Sequence, residues 1–414
     1  MKDLFTAALH IESPFYIDYL DFDTANKRLD VHVSFTRGSK FCYDGECDLS
    51  VHDTREKRWQ HLNFFENECF IIAKVPRVIT RSGRVVTLPM SWEGTVSGFT
   101  LLFEALLLPL LSNMPVHKVS KLTGIYDDKL WTLLTKYVEK SRSTEDFSDL
   151  EVVGIDETSC KKGHNYVTLF VDLKERRTVH VSEGKGSDTI ASFCEIIPHK
   201  KEEDMPIESD CIKQVSCDMS PSFISGVQKH LPKASITFDK FHIMKLINEA
   251  VDSVRRTECK EEECLKGHRY LFLSNQDNYT KKQEESFNDL KISHSKLKSF
   301  RALRIRESFQ DIYSYANTIE EFECLLKQWY YWATHSRLEP IKKVAKTIKN
   351  HWNGIVKWMD TKLNNGILEG LNSIVQSAKR RARGFRKTEN FITMIYLITG
   401  KLDFRKINKH YRSF

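Results

Sequence analysis

Apolar and polar positions alternate through Phe15–Asp23 and Arg28–Phe35, two runs that flank a polar turn at residues 24–27 and predict a hairpin. Residues 58–65 and 68–75 repeat the strand-like pattern. The period then changes. Residues 99–111 are apolar apart from Glu104 and Pro109, and predict a helix packed in a core. Beyond it Asn113 can cap a helix with Val116, Val119 and Leu122 on one face, Thr123 and Gly124 make a tight turn, and Asp127 or Asp128 starts a second helix with Leu130, Leu133, Leu134 and Tyr137 inward. If the pair is a helix-turn-helix, Lys129, Thr132 and Lys136 are expected to face outward and touch DNA. Three short β-branched runs follow at residues 150–155, 166–173 and 178–182, separated by turns at 161–165 and 174–177. The pattern after them predicts a helix at 187–197, a charged loop at 199–210, a strand at 211–217, a helix from Ser220 to His230, a strand at 234–238 and a helix at 241–256.

Three consecutive strands and then αβαβα is the element order of an RNase H-like fold, in which the first and fourth strands lie side by side. Residues 257–355 do not continue the sheet. Tyr270, Phe272, Trp329, Tyr330, Trp332, Trp352 and Trp358 recur there at spacings that predict packed helices. The chain therefore reads as a multidomain α+β and α/β protein. A β-rich, degenerate zinc-ribbon-like module occupies 1–95 and a helix-turn-helix occupies 96–140, with a polar linker at 141–149. An RNase H-like core with a five-stranded mixed sheet begins at 150–256, is interrupted by an all-helical insertion at 257–355, and resumes in C-terminal helices at 356–414. The two helices at 113–140 fit an ordinary helical hairpin as well as they fit a helix-turn-helix.

Bulk composition narrows the class without choosing within it. With 414 residues the chain is too long for one ordinary core, and 41% hydrophobic content is that of a globular protein. A net charge of +7 permits a polyanionic partner. No uncharged apolar run is long enough to span a bilayer, and the first residues lack the basic-then-apolar pattern of a signal peptide, so a cytoplasmic protein without a membrane partner is expected. Ten cysteines at irregular spacings fit a reducing compartment better than a disulfide framework. Cys42 and Cys47 resemble half of a zinc ribbon, but a closed site needs four ligands and residues 75–85 offer no second pair, which leaves His52, His61 and Cys69 as alternatives. Cys259, Cys264 and His268 stand at metal-ligand intervals and lack a clear fourth ligand.

The chemistry that the pattern favours rests on carboxylates. Asp156 follows the first core strand, Asp218 the fourth, and Glu369 lies on a helix face with Asn372, Gln376 and Lys379. Mg²⁺ prefers such hard oxygens, and two ions can serve the attacking and leaving oxygens of an in-line phosphoryl transfer. Just beyond Glu369 the run Lys379, Arg380, Arg381, Arg383, Arg386 and Lys387 is placed to meet backbone phosphates. Taken singly, an Asp after a strand is more often a turn or cap residue than a ligand, and Glu157 and Asp239 occupy equally suggestive places.

Three stretches resemble one family. Residues 154–173 (GIDETSCKKGHNYVTLFVDL), 215–245 (VSCDMSPSFISGVQKHLPKASITFDKFHIMK) and 364–395 (NNGILEGLNSIVQSAKRRARGFRKTENFITMI) are similar to the ISL-three family of bacterial insertion-sequence transposases, in the DDE superfamily. The N-terminal half fits more loosely, so the resemblance covers nearly the whole chain. It implies that Asp156, Asp218 and Glu369 are the catalytic acids, holding two Mg²⁺ or Mn²⁺ ions per site. It implies that Asp239 and His242 form a supporting pair, and that DNA is the partner, both as element ends and as target, bound by a homodimer or higher oligomer. It also implies a zinc-binding N-terminal module. This sequence departs from that pattern, because Cys42 and Cys47 are spaced wider than Cys-x-x-Cys and Thr80 and its neighbours replace the second pair. The reading competes with two others: a DNA-binding regulator with a non-catalytic RNase H-like domain, and an RNase H-like nuclease that cuts without joining.

Overall fold

The computed structural model describes residues 2–9, 11–161, 165–197, 211–361 and 366–412. The charged loop expected at 199–210 lies outside them. The chain divides into two compact units, residues 1–145 with 377–414, and residues 146–376.

The first unit opens with helix α1 (Lys2–Ala8) and strands β1 (Phe15–Asp23) and β2 (Arg28–Phe35), the antiparallel hairpin its alternation predicts. A short hairpin, β3 (Phe41–Tyr43) and β4 (Glu46–Leu49), leads to two long strands, β5 (Val51–Phe64) and β6 (Asn67–Ile79), and then to β7 (Val85–Thr87). Strand order is β1-β2-β6-β5, with β2 and β6 parallel and β7 added on β6. Leu29, Val31 and Val33 of β2 and Cys69, Ile71, Ala73 and Val75 of β6 alternate into the core with Trp59, and the alternation breaks at Pro76, buried next to Val75. The sulfurs of Cys42 and Cys47 are bonded to each other across the β3–β4 hairpin. In that form neither thiol is available to zinc, so the expected half-site is a covalent clasp instead. His61 and Cys69 are cross-strand partners, and burial pushes the Cys69 thiol up to about 12.

His61 makes this module acid-sensitive. Its Nδ1 lies 2.9 Å from Thr100 Oγ1, and burial together with the charge of His410 pushes its pKa down to about 4. An unfolded chain takes up that proton near pH 6.5, while the folded ring stays neutral. The contribution of His61 to stability is therefore flat well above pH 6.5 and falls as the pH drops from there toward 4, by up to about 3 kcal/mol. A melting series across that window is expected to show the slope, and His61→Asn should flatten it.

Helix α2 (Leu101–Asn113) is capped by Thr100, whose hydroxyl accepts from Phe103 N. Helices α3 (Val116–Thr123) and α4 (Asp127–Arg142) follow, joined through Gly124 at φ 72°, a left-handed conformation that glycine adopts without strain. Three details differ from the expectations above. Asn113 ends α2, and Pro115 takes the cap position of α3. Leu122, expected inside, is 67% exposed. Lys129, expected outside, is half-buried with Nζ 3.8 Å above the Phe99 ring, and burial lowers its pKa. Leu130, Leu133, Leu134 and Tyr137 are buried as their spacing predicts.

The second unit holds the other five-stranded sheet. Its strands are β8 (Val152–Ser159), β9 (Tyr166–Asp172), β10 (Arg177–Glu183), β11 (Gln214–Cys217) and β12 (Ser235–Phe238), in the order β10-β9-β8-β11-β12. The first three pair antiparallel, and β11 pairs parallel with both β8 and β12. Helices α5 (Ser187–Glu195), α6 (Pro221–His230) and α7 (Lys240–Glu258) alternate with the later strands. This mixed sheet with its helices is consistent with the element order read from the sequence. The insertion is helical: α8 (Arg269–Leu273), α9 (Lys281–Ser293), α10 (Lys298–Tyr315), α11 (Ile319–Thr334), α12 (Glu339–Asn350) and α13 (Trp352–Thr361). Phe272, Trp329, Tyr330, Trp352 and Trp358 join the core beneath the sheet, whereas Tyr270 and Trp332, expected to pack, are exposed; Trp329 donates from Nε1 to Ile305 O at 2.8 Å.

Helix α14 (Gly366–Arg381) begins in the second unit, and the chain from Ser377 onward, with α15 (Thr388–Thr399), packs in the first. The α14–α15 turn places Arg383 (φ 58°) and Gly384 (φ 93°) in the left-handed region. No described helix is long and apolar enough to cross a membrane.

Candidate active site

Sheet register assembles the acids. Ser216 on β11 is level with Gly154 on β8, and Cys217 is level with Phe238 on β12. Two residues further along β8, and one further along the other two strands, the same rows bring Asp156, Asp218 and Asp239 side by side. Neighbouring strands lie about 4.8 Å apart, so these carboxylates share one edge of the sheet. Asp156 is not at the end of its strand, as the apolar run alone suggests. Strand β8 continues to Ser159 against β9, and Asp156 lies where its pairing with β11 has stopped. That position leaves it on rigid backbone with one flank open.

The electrostatics show how close these groups are. Burial raises the Asp156 pKa, and the negative charges of Asp218 and Asp239 add to the rise, while the Glu157 amide and the charge of His242 oppose it. Glu157 is raised by burial, then by Asp218 and Asp156. The His242 pKa is raised by Asp239 first, with Asp156 and Asp218 contributing. Its Nδ1 lies 3.3 Å from Asp239 Oδ2 but out of line for a good hydrogen bond, so the contact acts as charge attraction. Asp239 also caps α7, accepting from Phe241 N at 3.0 Å, and Asp218 accepts from Ser220 N at 2.9 Å. The cap and turn roles that the sequence offers as alternatives are thus real, and they coexist with the clustering.

Helix α14 closes over β8. A side-chain carbon at Gly154 would lie 2.8 Å from Leu368 Cδ2 and 2.9 Å from Leu173 Cδ2, so only glycine permits this approach. Asn372 Nδ2 donates to Asp156 Oδ2, and Gln376 Nε2 donates to Thr158 Oγ1. Glu369 is exposed and stands one helical turn before Asn372 on the same face. Among the described residues no three His, Cys, Asp or Glu side chains close into a metal-holding group, either at the acids or around Cys259, Cys264 and His268. The donor set at the acids nevertheless suits a hard divalent cation. Asp156 and Asp218 repel each other, and beside them Asn372 Oδ1 is buried with no hydrogen-bond partner. An ion or its water would relieve both.

In the first unit a cleft of about 980 Å³ runs between α4 and the α14–α15 turn. Trp131, Thr132 and Lys136 line one wall and Arg381, Phe385, Arg386 and Lys387 the other. Thr132 and Lys136 are exposed as expected, and Lys136 Nζ donates to Thr95 O at 3.2 Å. Arg380 and Arg383 are exposed, Lys379 is half-buried, and Arg381 donates to Asn113 O at 2.9 Å. The basic run therefore belongs with the helical hairpin of its own unit, although its place in the sequence sets it just beyond the acids.

A row of carboxylates across a mixed sheet, beside a polar helix face, is a donor set that can take a hard divalent cation. The family described as "Transposase", the ISL-three group of DDE transposases, matches residues 153–395. The chain belongs to that family, and it is a DNA transposase. The transposase for insertion sequence element IS1001 of Bordetella parapertussis is 27% identical over 356 residues, covering 83% of this chain and 85% of that protein. The transposase for insertion sequence element IS1557 of Mycobacterium tuberculosis is 25% identical over 378 residues, covering 82% and 81%.

Proposed function

We propose that this transposase binds the terminal inverted repeats of an insertion sequence, hydrolyses a phosphodiester at each end to expose a 3′-OH, and joins that hydroxyl to target DNA. The catalytic fold is RNase H-like, and Asp156, Asp218 and Glu369 hold the divalent cations, two Mg²⁺ or Mn²⁺ per site. Bound there, the ions supply an activated oxygen nucleophile and neutralise charge on the leaving oxygen. Asn372 fixes the Asp156 carboxylate, and the Asp239–His242 pair fixes the far end of the acid row. The observation that carries the reading is the parallel register of β11 on β8, which sets Asp156 beside Asp218.

The first unit supplies DNA binding. Helices α3 and α4 act as a helix-turn-helix, with Thr132 and Lys136 reaching DNA, and Lys379, Arg380, Arg381, Arg383, Arg386 and Lys387 hold phosphates. Lys129 contributes through packing on Phe99. Two ends must be brought to one target, which is work for a homodimer or a higher oligomer in the cytoplasm, on the nucleoid. Removing one phosphate-binding cation should lower the salt slope of end binding by about 0.9. Arg386→Ala with Lys387→Ala is therefore expected to reduce it by nearly 2 in a filter-binding titration.

The decisive experiment incubates the full chain with DNA carrying the repeats and Mg²⁺ or Mn²⁺. Cleaved ends with 3′-OH and covalent joint products are expected. End binding without cleavage would make the protein a regulator, and cleavage without joint products a nuclease.

A further inference from the structure

Helix α7 carries more than the Asp239–His242 pair. One step around its surface from His242, Phe241 is 52% exposed, a large aromatic that the fold leaves in water beside the acid row. Lys245, Asn248, Asp252 and Arg256 follow it at helical spacing, and Arg269 and Leu273 of α8 form the opposite wall of a groove of about 410 Å³. Asp252 is buried and ion-paired with Arg255 at 2.8 Å, Arg256 at 3.3 Å and Arg269 at 3.5 Å, so it holds the two walls of the groove together. Four cations, Lys245, Arg255, Arg256 and Arg269, still outnumber the two acids Glu249 and Asp252 there, so the groove keeps a positive balance. From Phe241 to Arg256 the groove follows the helix for about 22 Å.

We propose that this groove takes the DNA strand leaving the acid row, with Phe241 stacking on a base at the cleavage junction and Lys245, Arg256 and Arg269 holding the phosphates beyond it. Every base has a π-face, so an aromatic there stacks without regard to sequence. Cations along the groove then set the strand's direction away from the acids. The inference rests on the acid row being the reactive centre.

The test uses the full chain and an oligonucleotide end with 2-aminopurine at the junction. Wild type should raise the fluorescence on binding, as the base leaves its neighbour. Phe241→Ala should lose that rise and lower cleavage measured below saturating DNA by about 10- to 100-fold. Phe241→Trp should restore both. Lys245→Gln with Arg269→Gln should lower the salt slope by about 1.4. Wild-type cleavage and fluorescence in Phe241→Ala, or an unchanged slope in the double variant, would overturn the proposal. The same fluorescence and slope measured in Asp218→Ala separate the two readings: the groove signals persist there without chemistry, whereas cleavage surviving in Asp218→Ala would refute the acid row alone.

Discussion

Asp156→Ala and Asp218→Ala are each expected to reduce strand cleavage and joining by about a thousandfold or more while end binding stays near the wild-type level. A bound metal contributes several kcal/mol to neutralising charge in a phosphoryl-transfer transition state, and each 1.36 kcal/mol is a factor of ten. On the proposed assignment, losing either carboxylate removes one of the metal ligands. Glu369→Ala should lose as much, since it removes the acid that α14 contributes. Asn372→Ala is expected to lose less, about 10- to 100-fold, because it orients Asp156 and leaves the acids in place. Unfolding would not explain the losses. Replacing Asp218 relieves its repulsion with Asp156 while removing the acceptor of Ser220 N, two opposed effects, so melting without metal should move by no more than about 1 kcal/mol. Gel-quantified cleavage at saturating Mg²⁺ or Mn²⁺ checks the first expectation. Any one of the three acid variants working at the wild-type rate would refute the assignment.

The acid row is legible in the sequence because each of its parts is local. A β-branched run followed by Asp appears three times, and an order of three strands then αβαβα leaves few ways to arrange them. What a sequence cannot show depends on which neighbour arrives. Helical spacing assigns Lys129 to the polar side of α4, yet Phe99 comes to lie under its ammonium group and draws it inward. Leu122 has the spacing of a core residue and receives no cover. Strands β5 and β6 are longer than their apolar stretches, because Arg55, Glu56 and Lys57 interrupt the alternation while the backbone ladder to Val75, Lys74 and Ala73 continues. The Asn372–Asp156 hydrogen bond joins residues 216 apart, and no local pattern announces it. Composition finds the basic run but not the unit it joins, since charge says nothing about which core the flanking apolar residues of α15 enter.

Glu104 reads in the sequence only as an interruption in an apolar helix, and it carries the largest expected effect on stability. Its side chain is fully buried, and Thr95 N at 2.9 Å, Thr95 Oγ1 at 3.0 Å, Val96 N at 2.8 Å and Tyr137 OH at 2.8 Å all donate to its carboxylate. Tyr137 in turn accepts from Asn408 Nδ2 at 2.9 Å, so a single acid ties the 94–96 loop, α2, α4 and the C-terminal segment together. The loop must come close for this: a carbon at Gly94 would lie 2.5 Å from Glu104 Oε1. Glu104→Ala strands two backbone amides and a phenol in the core, each at about 1–3 kcal/mol. A total loss of about 4 kcal/mol is a large share of a domain's net stability. Glu104→Gln keeps the shape but turns an amide N–H toward groups that are themselves donors, and should recover less than half of the loss. Tyr137→Phe removes one donor and should cost about 1 kcal/mol. Because both changes act on one network, the double variant should fall short of the sum. Hydrogen exchange reads the effect where it arises: the Thr95 and Val96 amides are expected to exchange far faster in Glu104→Ala, while the amides of β8 and β11 keep their protection. Unchanged exchange at Thr95 and Val96 would mean that the carboxylate does not hold this unit closed.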